Sequence, residues 1–158
     1  MNKVIFIREN IFMLFTIIFI FLLDRYSKIF MLKNLSENFI YVNDFINFDL
    51  IWNTGIGFGF LSSSSSLIYN AISILVGIIV IALILISLKS DKFDKTAFSL
   101  IIGGALGNFY DRIIFKAVPD FIDVHYGNFH WFTFNIADIF ITIGVLCFIS
   151  KGFFIKEK

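Results

Sequence analysis

The chain divides by hydropathy into four long apolar stretches separated by polar connections. Leu67–Leu88 contains no charged residue and has the length of about 20 residues that a helix needs to cross a bilayer core. Ile11–Leu23 alone is short, but Ile29–Leu32 resumes the run after a charged cluster. A helix over Asn10–Leu32 would be about 34 Å long. Thr96–Phe115 forms a third stretch, interrupted near its end by Asn108, Asp111 and Arg112. Trp131–Ile149 forms a fourth, with Asn135 and Asp138 near its start. The pattern predicts an all-α integral membrane protein, a single membrane domain over 1–158 with transmembrane helices at about 10–32, 67–88, 96–115 and 131–150. One connection departs from this period. Phe45–Asn53 alternates loosely, with Ile46, Phe48, Leu50 and Trp52 on one face. That period of two predicts a strand, part of a small β-sheet lying on the membrane. Ser62–Ser66 then ends the strand region and can cap the second span.

Composition strengthens the membrane reading. Of 158 residues, 58% are hydrophobic and 16% charged, against about 45–50% and about 25% in soluble domains. A chain this short could not bury that much apolar surface within itself. The net charge of +1 gives no reason to expect a nucleic-acid partner. Basic residues set the orientation. Lys3 and Arg8 precede the first span, Lys89, Lys92 and Lys95 join the second to the third, and Lys151, Lys156 and Lys158 follow the fourth. The positive-inside rule makes this side cytoplasmic, with both termini inside and the strand segment extracytoplasmic. The outer connections are then about 33–66 and 116–130. Trp52, Tyr110, Tyr126 and Trp131 fit an aromatic belt at the outer interface. Lys3, Arg8 and Ile11–Leu23 resemble a signal peptide, but no small-residue cleavage site follows, so a retained first helix is expected. Cys147, the single cysteine, excludes an internal disulfide and a Cys-rich metal site. A monomer is expected.

The same topology gathers the polar residues near one surface. Asp24 and Lys28, Asn70, the set Asn108, Asp111 and Arg112, and the pair Asn135 and Asp138 all fall in the outer halves of their spans. Ionisable residues near the hydrocarbon core need mutual partners or a function. The spacings i,i+3 and i,i+4 put each set on one helix face. Asp120 and Asp138 stand out because no basic residue lies within three positions of either in sequence. Two carboxylates brought together share a proton and supply an acid and a base in one site. Such a pair can activate water for amide hydrolysis, and it fits a proton or ion pathway equally well. Asp123 is a rival partner for Asp120. A metal site of His125, His130, Asp120 and Asp123 matches no standard zinc spacing, and no metal or cofactor is expected. The serine run offers a hydroxyl but no placed base. Gly103 and Gly107 form a small-xxx-small pattern that predicts helix packing.

At these residues the chain resembles the bacterial lipoprotein signal peptidases, the type II signal peptidases. Asp24–Lys28 (DRYSK), Asn53–Phe60 (NTGIGFGF), Gly103–Arg112 (GGALGNFYDR), Val118–Asp123 (VPDFID) and Phe134–Asp138 (FNIAD) resemble the family's motifs, in order and over nearly the whole chain. Ser27 stands where Thr is usual, and Pro119 where a second aliphatic residue is common. The resemblance implies an aspartic endopeptidase whose catalytic dyad is Asp120 and Asp138. Asn53, Gly55, Asn108, Arg112 and Asn135 would line the site, while Asp24, Lys28 and Asp111 would support the fold. The substrate would be a diacylglyceryl-modified prolipoprotein in membrane lipid, cleaved just before the lipidated cysteine. Inhibition by globomycin-type compounds would be expected.

Overall fold

The computed structural model describes residues 3–35, 39–55 and 66–154. Its elements run α1 (Lys3–Asn34), β1 (Ile40–Asn43), β2 (Ile46–Asn53), α2 (Ser66–Ser87), α3 (Lys92–Phe115), β3 (Val118–Tyr126), β4 (Phe129–Phe134) and α4 (Ile136–Phe154). The molecule is therefore mostly helical with one small antiparallel sheet, ordered β1-β2-β3-β4. Among the described residues, Phe6–Asn34 and Tyr69–Ser87 are long and apolar enough to cross a membrane. Residues 62–65 of the serine run lie outside the described residues, and with them the expected cap of α2.

Helix α3 packs against each of the other three helices. Its glycines make this possible. A Cβ on Gly103 would sit 2.8 Å from Ile20 Cβ on α1, and one on Gly104 would sit 2.4 Å from the Ala137 carbonyl oxygen on α4. Only a hydrogen leaves room for backbones this close, the usual role of small residues between membrane helices. Met13, Ile17, Phe98 and Ile102 form the buried apolar cluster beside them. Outward faces carry large exposed apolar side chains, among them Phe15, Phe19, Ile74, Ile78 and Leu146. Asp91 caps α3, accepting a hydrogen bond from the Asp94 amide at 3.0 Å.

Helices α1 and α3 begin at Lys3 and Lys92, before the expected 10 and 96, and larger differences lie in the second half of the chain. The fourth helix begins at Ile136 rather than Trp131, because residues 129–134 form β4. The connection expected at 116–130 is accordingly most of a hairpin, closed at Gly127 with φ 57°. Hydropathy could not separate the two cases, since an aromatic run such as Phe129–Phe134 reads equally as a strand or as a helix end. A Gly-Asn pair between two apolar segments was the available hairpin signal. The expected face of β2 also changes midway. Phe48 pairs with Ile122, but Ile51 pairs with Asp120, so β2 carries an extra residue between them. A bulge of one residue exchanges the two faces. Trp52 therefore leaves the face of Ile46 and Phe48, and Asn53 joins the face that carries Asp120.

Candidate active site

The sheet and the ends of the helices bring the polar residues together. Asp120 lies on β3, 2% exposed. Asn53, moved to this face by the bulge, donates from Nδ2 to Asp120 Oδ2 at 2.8 Å. Asn135 donates from Nδ2 to Asp120 Oδ1 at 2.6 Å. Asn135 precedes α4 and also holds Asp138: its backbone N–H donates to Asp138 Oδ2 at 3.3 Å, and its Oδ1 accepts from the Asp138 amide at 3.1 Å. This reciprocal pair is a helix N-terminal box in which Asp138 fills the place of the usual Glu or Gln. Asn108 Nδ2, from α3, donates to the remaining oxygen, Asp138 Oδ1, at 2.8 Å. One asparagine thus touches both carboxyl groups, and among the described residues their hydrogen-bond partners are amides.

A different arrangement surrounds the other buried acids. Lys28 Nζ lies 3.0 Å from Asp24 Oδ2 and donates to Asp111 Oδ2 at 2.7 Å. Arg25 Nη2 donates to Asp24 at 2.9 Å and to Asp111 at 2.7 Å. Asp24 Oδ1 accepts from the Ala137 amide at 3.1 Å, which ties α1 to the first turn of α4. Lys28 also donates to Asn108 Oδ1 at 2.8 Å, fixing the amide that reaches Asp138. Arg112 Nη2 donates to the Gly55 carbonyl at 2.8 Å, and the Gly55 amide donates to Asn53 Oδ1 at 2.8 Å. Arg112 therefore acts on Asn53 through the turn after β2. Residues 56–60 of the second motif lie outside the described residues.

The geometry brings together Asp24, Lys28, Asn53, Gly55, Asn108, Asp111, Arg112, Asp120, Asn135 and Asp138. It does not bring in Asn70, which is exposed on α2. It adds Arg25 and Tyr69, whose hydroxyl donates to the Arg112 carbonyl at 3.1 Å. Arg25 was the only other cation in the Asp24–Lys28 run, and one such residue beside a buried acid is a usable signal. Nothing in sequence links Tyr69 to Arg112. Asp123 falls on the opposite face of β3 from Asp120, because three residues along a strand reverse the side chain. There it accepts from His130 Nδ1 at 2.8 Å and lies 3.6 Å from His125 Nδ1. The set His125, His130, Asp120 and Asp123 is divided by the sheet. Among the described residues, no group of three or more His, Cys, Asp or Glu is arranged to hold a metal ion.

The electrostatics follow from these partners. Burial and then the charge of Asp138 push the Asp120 pKa from 3.8 up to about 6, against the Asn53 and Asn135 hydrogen bonds, which favour the ionised form. A carboxyl group near that value exchanges a proton around neutral pH. Beside a second carboxyl, such a group can supply acid and base functions without a metal or a nucleophilic side chain.

A mostly helical molecule of this kind, with two carboxyl groups joined through one asparagine, has the make-up of a membrane acid–base hydrolase. The family model described as Signal peptidase (SPase) II matches residues 16–154. A lipoprotein signal peptidase of Pelagibacter ubique (strain HTCC1062) is 52% identical over 145 residues, covering 90% of this chain and 87% of the relative. One from Francisella tularensis subsp. novicida (strain U112) is 41% identical over 121 residues, covering 74% and 75%. A solved bacterial membrane enzyme superposes with a TM-score of 0.77 at 30% identity, covering 92% of each chain. The chain belongs to the signal peptidase II family, whose members are membrane aspartic peptidases.

Proposed function

We propose that Asp120 and Asp138 are the catalytic dyad of this peptidase, and that α1–α4 all cross the cytoplasmic membrane of a bacterium. Both termini would face the cytoplasm and the sheet the outer side. The enzyme removes signal peptides from prolipoproteins. Cleavage would fall just before the diacylglyceryl-modified cysteine. The carrying observation is Asn135, which binds both carboxyl groups while no cation bonds to either among the described residues. Two such groups share one proton and titrate as a unit. The ionised carboxylate takes a proton from water as the water oxygen attacks the scissile carbonyl. The protonated partner donates a hydrogen bond to that carbonyl oxygen. Collapse of the tetrahedral intermediate breaks the C–N bond, and a dyad proton goes to the departing amine. Asn53, Gly55, Asn108, Arg112 and Asn135 position the dyad. Asp24, Lys28 and Asp111 hold the helices that carry it.

The substrate's acyl chains can remain in lipid beside the exposed apolar faces, which leaves the peptide bond at the depth of the polar cluster. The acyl anchor then orients the bond, beyond raising its local concentration. The test is cleavage of a purified diacylated prolipoprotein in micelles, with its unlipidated precursor in parallel. The diacylated form should be cut and the unlipidated one hardly at all. A globomycin-type inhibitor should block the reaction. Equal turnover of both forms would remove the positioning role.

A further inference from the structure

A pocket with basic residues at its edge lies at the far end of the helices. Along α3, about 24 Å of helix separates Lys95 from Asp111. A cavity of about 430 Å³ opens between the first turns of α1 and α3, bounded by Arg8, Glu9, Lys92 and Lys95, with Phe12 and Met13 on its apolar side. Lys95 is 2% exposed, yet its ammonium finds no hydrogen-bond acceptor among the described residues. Glu9 Oε2 stands 3.6 Å away, and the Phe6 ring lies 4.4 Å from Lys95 Nζ. Asp91, the cap of α3, and Asp94 Oδ2 in its first turn are engaged by Lys151. The basic residues of the cavity therefore outnumber its acid by Arg8, Lys92 and Lys95 to Glu9.

We infer that this cavity binds the phosphate of an anionic phospholipid headgroup. A buried ammonium without a hydrogen-bond acceptor is costly, and a phosphate oxygen would supply the missing acceptor. Arg8 and Lys92, both exposed at the rim, can reach the same anion. A lipid fits better than a soluble anion because the apolar side of the cavity continues onto Ile11, Phe12 and Phe15, which are 63%, 57% and 66% exposed. An acyl chain would lie along that stripe. Basic pockets between helices on the cytoplasmic side recognise acidic headgroups in this way. The inference rests on the proposed topology, which puts this end at the inner leaflet.

The test is native mass spectrometry of the delipidated full chain, titrated with phosphatidylglycerol, with phosphatidylcholine, or with inorganic phosphate. The wild type should retain phosphatidylglycerol about tenfold more tightly than phosphatidylcholine. Lys95→Gln, and Arg8→Gln combined with Lys92→Gln, should lose that preference, while Lys95→Arg and Lys33→Gln keep it. Melting temperatures of each variant report whether it is folded, and the combined Arg8→Gln and Lys92→Gln variant, at two exposed rim residues, carries the test if Lys95→Gln is not. Equal retention of the two lipids by the wild type overturns the proposal. Displacement of the lipid by millimolar inorganic phosphate makes it a free-anion site and overturns the lipid assignment. Cleavage of a diacylated prolipoprotein by the wild type in the same detergent tests the proposed function separately. A protein that cleaves without headgroup preference fails only this inference.

Discussion

Asp24 and Asp111 on one side, and Asp120 and Asp138 on the other, are aspartates clustered at the same end of the helices, yet their surroundings differ. The first pair is bonded to Arg25 and Lys28. The second is bonded, among the described residues, to amides alone, from Asn53, Asn108 and Asn135. Ion pairs from Arg25 and Lys28 on α1 to Asp111 on α3 make the first group a structural tie between helices. A carboxyl group held by neutral donors and crowded by a second one keeps a proton that it can exchange. The partner, rather than burial, separates a fold-supporting acid from one equipped for proton transfer. Asn108 connects the two groups, accepting from Lys28 and donating to Asp138.

The sharpest way to break this contrast is to neutralise one acid in each group. Asp120→Asn and Asp138→Asn should each lower prolipoprotein turnover by about 10³-fold or more, while the protein still accumulates and binds inhibitor. The double variant should be little worse than either single one, because groups acting as a unit are not additive. Comparable activity in either single variant would dissolve the proposed dyad. Asp111→Asn should act the opposite way, on stability first. It leaves Arg25 and Lys28 with one acid between them, and breaking a buried ion pair costs about 3–5 kcal/mol. Thermal unfolding in detergent and accumulation in the membrane read this loss.

Gly107→Ala probes the same tie sterically. A Cβ there would lie 2.4 Å from Asp24 Oδ2, and overpacking of this kind costs about 1–3 kcal/mol. Its melting temperature should fall, but less than that of Asp111→Asn. The coupling within the dyad is open to titration. In Asp138→Asn the neighbouring charge is gone, so Asp120 should titrate below about 6. Burial, the larger cause, should still hold it above 3.8. Infrared carboxyl bands of the purified protein report the midpoint, and an unmoved value would mean that the two groups do not sense each other. The sign for stability follows from the raised pKa. The contribution of Asp120 is fully present below 3.8 and is lost as pH rises through about 6. Asp120→Asn, uncharged throughout, should show a flatter melting temperature over that window. The smallest effect is expected from Asp123→Asn, on the other face of β3 and bonded to His130. It should change turnover by no more than about threefold, the scale of one lost hydrogen bond away from the dyad.

Much of this organisation was legible in the chain. The helices α1, α2 and α3 appear where long apolar runs occur, because a helix satisfies its own backbone and its length follows from residue count. The alternation in Phe45–Asn53 marked β2, and the spacing of Asn108, Asp111 and Arg112 put them on one face. Asp120 and Asp138 drew notice as acids without sequence cations. Family motifs pointed to the residues that converge, although no motif states a distance.

Tertiary structure alone decided the rest. Whether Asp120 would meet Asp138 or Asp123 depended on which face of β3 each occupies, and that required residues 118–126 to be a strand. Asn53 faces Asp120 only because of the bulge between Phe48 and Ile51, a defect of pairing between distant segments that periodicity within one strand cannot show. Arg25 meets Asp111 and Tyr69 meets Arg112 across helices far apart in sequence. Local pattern encodes where the chain is apolar and how side chains repeat along one element. Pairing register and helix packing encode which of those side chains touch, and here those contacts distinguish a neutralised acid from one that can hold and release a proton.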